Sequence, residues 1–92
     1  MKSLNINNVN YEVVNDEKNI IDLPLLNEMI TDYYKDFDYI VGDYAYGKLR
    51  LKGFNNKNSK SYKPINDIAL LDDYIRNYCA YNCSWFCIKK SK

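Results

Sequence analysis

Histidine is absent from this chain, and glycine, proline and tryptophan are scarce, at three, two and one in 92 residues. Each shortage excludes something. Without histidine there is no ordinary general base near neutral pH and no imidazole for a zinc site. With so little glycine and proline there is no room for a low-complexity linker or a glycine-rich phosphate loop. Long apolar runs are missing too, so no 18-residue membrane span can be drawn. The opening MKSLNINNVN has neither an apolar core nor a small-residue cleavage site, so no export signal is expected and the cytoplasm is the expected compartment. The three cysteines agree, since a secreted disulfide scaffold would use an even number.

What is present fits one domain, residues 1–92, with a modest core. Hydrophobic residues make up 47% and charged residues 27%, the balance of a globular domain rather than a disordered chain. The net charge of +1 conceals a division. Residues 1–46 hold three cations against nine acids; residues 47–92 hold ten cations against three acids. Between Gly47 and Asn66 there are six cations and no acid. That local density bears on partners more than the total does.

Alternation and helical spacing predict the elements. A short apolar alternation precedes Asn7-Asn8, which reads as a turn, and Val9–Val14 reads as a strand. Asp22 is a good N-cap with Pro24 in the first turn, and Leu23, Leu26, Ile30, Tyr33 and Phe37 then share one helix face, so a helix is predicted to run to Asp36–Asp38. Tyr39-Ile40-Val41 reads as a strand, with a bulge or close backbone approach at Gly42 and a hairpin loop from Asp43 to Tyr46 that Gly47 ends. Lys48–Phe54 returns in strict alternation, Leu49 and Leu51 inward, Lys48, Arg50 and Lys52 outward. Asn55–Lys63 is the expected mobile loop. A second helix from Asn66 buries Ile68, Leu71, Ile75 and Tyr78 and pairs Asp72 with Arg76. Ser84–Lys90, apolar on both faces, reads as a central strand. The predicted class is α+β, two helices on a mostly antiparallel sheet in the order β-β-α-β-β-α-β. Without the first strand this is the order of a ferredoxin-like fold, whose helices would cover one sheet face and leave the other open.

Two stretches, FDYIVGDYAYGKLRLKGF and LDDYIRNYCAYNCSWFCIKK, resemble the two signature blocks of the YutD-like family, small cytosolic proteins of low-GC Gram-positive bacteria. The resemblance spans Ile30 to Lys90. The first block carries an aspartate-aromatic pair after a strand glycine, then the alternating L-R-L-K-G-F. The second carries an aromatic-Cys turn into an apolar last strand. The family often has tryptophan at the position of Tyr44 and Gly-Cys at the position of Asn82-Cys83; asparagine tolerates the left-handed backbone that such a turn uses. Membership implies a small α+β fold and little about activity.

The candidate site is the basic strand. Alternate strand residues lie about 6.8 Å apart on one side, so Lys48, Arg50 and Lys52 form a straight positive track. Lys57, Lys60 and Lys63 extend it, with Asp43, Tyr44 and Tyr46 at the hairpin tip and Phe54 at the far end. Cations beside aromatics suit RNA or a nucleoprotein machine, the first reading. The alternative is a protein–protein adaptor or small regulator whose hairpin meets an acidic partner. The plain reading is a solvated strand whose lysines deter aggregation. A thiol or zinc switch at Cys79, Cys83 and Cys87 is the third reading, short of a fourth ligand. Asp43 has no histidine or second acid fixed beside it, so no catalytic set is complete, and no cofactor is expected.

Overall fold

In a computed structural model of the protein, which describes residues 2–45, 47–78 and 84–91, the element order is the predicted one. Strand β1 (Ser3–Ile6) turns into β2 (Val9–Asn15) at Asn7-Asn8, where both asparagines take positive φ (50° and 67°). Short polar side chains tolerate that left-handed backbone. Helix α1 (Leu23–Met29) begins as the sequence indicates: Asp22 caps it by accepting from the Leu25 N–H. It ends earlier than predicted. Ile30 is extended, and Asp32–Asp36 forms a separate 3₁₀ turn. The Asn7 side-chain amide donates to the carbonyls of Asn27 and Ile30 and so closes the end of α1. Ile30 is still buried and Phe37 half-buried.

Strands β3 (Tyr39–Ala45) and β4 (Lys48–Phe54) pair in continuous register from Tyr39↔Phe54 to Ala45↔Lys48. Gly47, at φ 76°, sits in the turn between them. The anticipated hairpin loop from Asp43 is therefore shorter, and Asp43 lies inside β3. Gly42 is no bulge: a Cβ there would lie 2.3 Å from Cζ of Phe86, so the glycine admits a ring directly opposite it. The sheet's register shift is instead in β2, between Val13 and Asn15.

Two short 3₁₀ turns, Pro64–Asn66 and Ile68–Leu70, lead into α2 (Leu71–Tyr78), which starts later than predicted. Arg76 approaches Asp73 at 3.4 Å rather than the expected Asp72, and both side chains are exposed. Strand β5 (Trp85–Lys90) enters between β2 and β3, giving the antiparallel order β1-β2-β5-β3-β4. It is a central strand, as its two apolar faces required.

The helices do not share a face. Ile40, Phe86 and Ile88 join Leu4, Ile6, Tyr11 and α1's Leu26 in one core. Val41, Cys87 and Phe54, the alternate residues, form a second core with Ile68, Leu71, Tyr74 and Ile75 around α2. Successive strand residues point to opposite sides, so α1 and α2 lie on opposite faces. That corrects the ferredoxin-like expectation of one covered and one open face. Among the described residues no helix is long and apolar enough to cross a membrane.

Candidate functional site

Continuous pairing sets Asp43 directly opposite Arg50, on the α2 face of the sheet. The Arg50 guanidinium donates from Nη2 to Asp43 Oδ2 at 2.6 Å. The two partners are unequal in exposure: the Asp43 side chain is 1% exposed and that of Arg50 43%. Asp43 Oδ1 is buried with no hydrogen-bond partner. The arrangement is a buried carboxylate neutralised by a cation that reaches to the surface. Breaking such a pair from the cationic side strands a charge in a poorly solvated place.

Lys52 is also occupied internally. It is half-buried, its ammonium lies 5.2 Å from the Phe54 ring centre and 5.9 Å from that of Tyr74, and it reaches Asn66 Oδ1 at 3.5 Å. Lys48 is exposed at the start of β4. The expected row of three solvent-facing cations thus becomes one exposed lysine, one arginine shared with a buried acid and one lysine held beneath α2.

The aromatic members of the predicted site divide. Phe54 is fully buried in the α2-side core. Tyr44 follows Gly42 at the same pleat and so belongs to the α1 face, away from the cations. Tyr46 lies outside the described residues. Among the described residues the exposed aromatic is Tyr33, 70% exposed, which helical spacing had assigned to the core.

Lys57, Lys60 and Lys63 are exposed on a segment whose two ends are hydrogen-bonded to the rest of the fold. Asn55 is buried, accepts from the Asp38 N–H at 2.8 Å, and donates its own N–H to the Asn66 carbonyl. The Asn56 N–H returns to Asp38 Oδ2 at 2.9 Å. The Tyr62 hydroxyl donates to Asp67, whose carboxyl also accepts from the Ala69 N–H. Those bonds, the backbone one foremost, hold the Asp67 pKa below its ordinary value, with Lys57 adding a smaller pull.

Of the three cysteines, Cys79 and Cys83 lie outside the described residues. Cys87 is wholly buried in β5, and desolvation pushes its thiol up to about 11. A protonated, enclosed thiol is a poor metal ligand and a poor nucleophile. Among the described residues no three acidic or thiol side chains converge on a metal-sized space.

Residues that alternation and helical spacing assign separately to the basic track and to the core meet at the outer side of β4. A cleft of about 390 Å³ is lined by Arg50, Leu51, Lys52 and Gly53 together with Tyr33 and Phe37. The Phe37 ring lies over Gly53, where a Cβ would come within 2.2 Å of it. The signal was available in part: a glycine in an otherwise regular strand marks a close approach.

Comparison with known proteins places this geometry among relatives. Residues 5–89 match the family described as "YutD-like: Putative antitoxin YutD-like". The chain is 35% identical over 85 residues, 92% of its own length and 93% of the other, to "Putative antitoxin YutD" of Bacillus subtilis (strain 168). It also superposes with a TM-score of 0.80 on the solution NMR structure of protein yutD from B. subtilis, at 33% identity, covering 100% of this chain and 84% of that one.

Proposed function

The chain belongs to the YutD-like family, and on that premise we propose that it is a small non-catalytic regulator that binds a protein partner, as an antitoxin binds its toxin. The observation that carries the reading is the β3–β4 hairpin. Its strands are locked in continuous register, and it presents Lys48 and Arg50 outward over the buried Asp43. A rigid, pre-organised cationic ridge suits docking of an acidic surface, because little ordering is lost on binding.

The RNA reading is less well supported. It needs cations and stacking aromatics together on one open face. Here Tyr44 is on the other face, Phe54 is buried, and Lys52 is engaged by two rings. The family description supports a protein partner and names no nucleic acid.

Affinity-tagged protein recovered from cell extract, with and without nuclease, tests the reading. The expected result is a stoichiometric protein partner that survives nuclease, is released by Lys48→Glu, and arrests growth when produced without this chain. Recovery of a ribonucleoprotein that nuclease removes would overturn it.

A further inference from the structure

β4 is the last strand of the sheet, so one side of its backbone has no strand beside it. The residues that face that side follow from the ladder. Asn55, just beyond β4, donates its N–H outward to the Asn66 carbonyl at 2.8 Å and accepts from the Ile68 N–H at 3.0 Å. In an antiparallel strand both backbone groups of one residue point to the same side, and successive residues alternate. Gly53, Leu51 and Leu49 therefore direct N–H and C=O outward, while Phe54, Lys52 and Arg50 bond to β3. The far side of β3 agrees, since Tyr44 N–H and the Asp38 carbonyl bond toward β5. Among the described residues no backbone hydrogen bond fills the outer positions at 49, 51 and 53.

The two walls beside this edge differ in chemistry. Toward α2 stand Lys48, Arg50 and Lys52. Toward α1 stand Leu49 and Leu51, half-buried, continued by Tyr33 and Phe37 along the cleft. A strand added here would set alternate side chains against each wall. Gly53 is buried against the Phe37 ring and the edge closes there, so the open template is Lys48–Lys52.

We propose that the free edge of β4 receives an extended segment of the partner protein as a sixth, antiparallel strand, with carboxylates at every second position facing Lys48 and Arg50 and apolar side chains between them. The proposal rests on the protein-partner reading above and specifies its mode. Main-chain bonds at Leu49 and Leu51 supply affinity, and the two walls supply selectivity. Two copies of β4 are a poor match for each other, because antiparallel pairing brings cations against cations. The same charges that guard this edge against neutral or basic strands admit an acidic one.

The test is an amide NMR titration of the full chain with a capped seven-residue peptide alternating glutamate and valine. Two controls accompany it: the same peptide N-methylated at its valines, and one with lysine in place of glutamate. The expected result is shifted, exchange-protected amides at Leu49 and Leu51, with at least tenfold weaker binding of both controls. If the acidic peptide leaves these two amides unmoved, the proposal fails. If the N-methylated peptide binds equally well while the lysine peptide does not, strand addition fails and the acidic-partner reading survives. Equal binding of the lysine peptide removes both.

Discussion

On the α1 face, Ile40, Phe86 and Ile88 join Leu4, Ile6, Tyr11, Leu26 and Ile30 in one apolar cluster. On the α2 face, Val41, Cys87 and Phe54 share the sheet with Asp43, Arg50 and Lys52. One sheet therefore has a face made by shape and a face made by charge. The first tolerates changes in volume poorly, because rings lie directly on glycine backbone at Gly42 and Gly53. The second depends on which partner of a pair is removed. The difference teaches that one step of the pleat separates a face packed by shape from a face held by charge: the neighbours Gly42 and Asp43 serve opposite sides.

The comparison can be broken most forcefully on the α1 face. Gly42→Val drives a side chain into the Phe86 ring, and overpacking of this kind should cost about 3 kcal/mol. Urea denaturation should register it as a large fall in midpoint, and an unchanged midpoint would mean that Phe86 does not lie over this backbone. On the α2 face the expected effects are smaller and asymmetric. Arg50→Met leaves a fully buried carboxylate without its cation and should cost about 2 kcal/mol. Asp43→Asn leaves only a half-exposed arginine, which water can solvate, and should cost about 1 kcal/mol. Equal costs for the two would refute the unequal burial.

A finer contrast comes from Lys48→Glu, which should move the thermal midpoint by less than about 0.5 kcal/mol equivalent while releasing the acidic partner. The smallest effect is one of pH. The lowered pKa of Asp67 means that its bonds to the Ala69 N–H and the Tyr62 hydroxyl add stability above its ordinary value of 3.8. That contribution disappears as pH falls through the lower folded-state value. Denaturation midpoints of the parent and of Asp67→Asn should therefore differ at pH 6 and converge toward pH 2; a gap that persists in acid would show that the carboxylate's charge is not what matters.

The strands were legible because alternation has a local cause. Lys48–Phe54 reads inward and outward without a break, and β5's apolar run announced a strand covered on both sides. Helical spacing was less informative. It picked out Leu26 and Ile30 as buried, yet it could not register the extended backbone at Ile30, which depends on Asn7 from a different hairpin. It also put Tyr33 inside. Asp43 read as a loop residue because aspartate and glycine favour turns, whereas its burial depends on Arg50 being opposite, a fact of register. The edge position of β4 is a property of strand order, which no local pattern carries. Its lysines were the one hint, since edge strands commonly bear them.

Strand β5 is made after every other strand, yet it occupies the middle of the sheet. On a ribosome the first two hairpins would emerge well before the piece that joins them. Until it arrives, β2 and β3 each present an unfilled flank, and the nascent chain is two ribbons rather than one layer. Completion then waits on a long-range closure of the kind that slows assembly. A product lacking Trp85–Lys90 should consequently be a substrate for proteases, because the strand that joins the two hairpins is missing from its sheet.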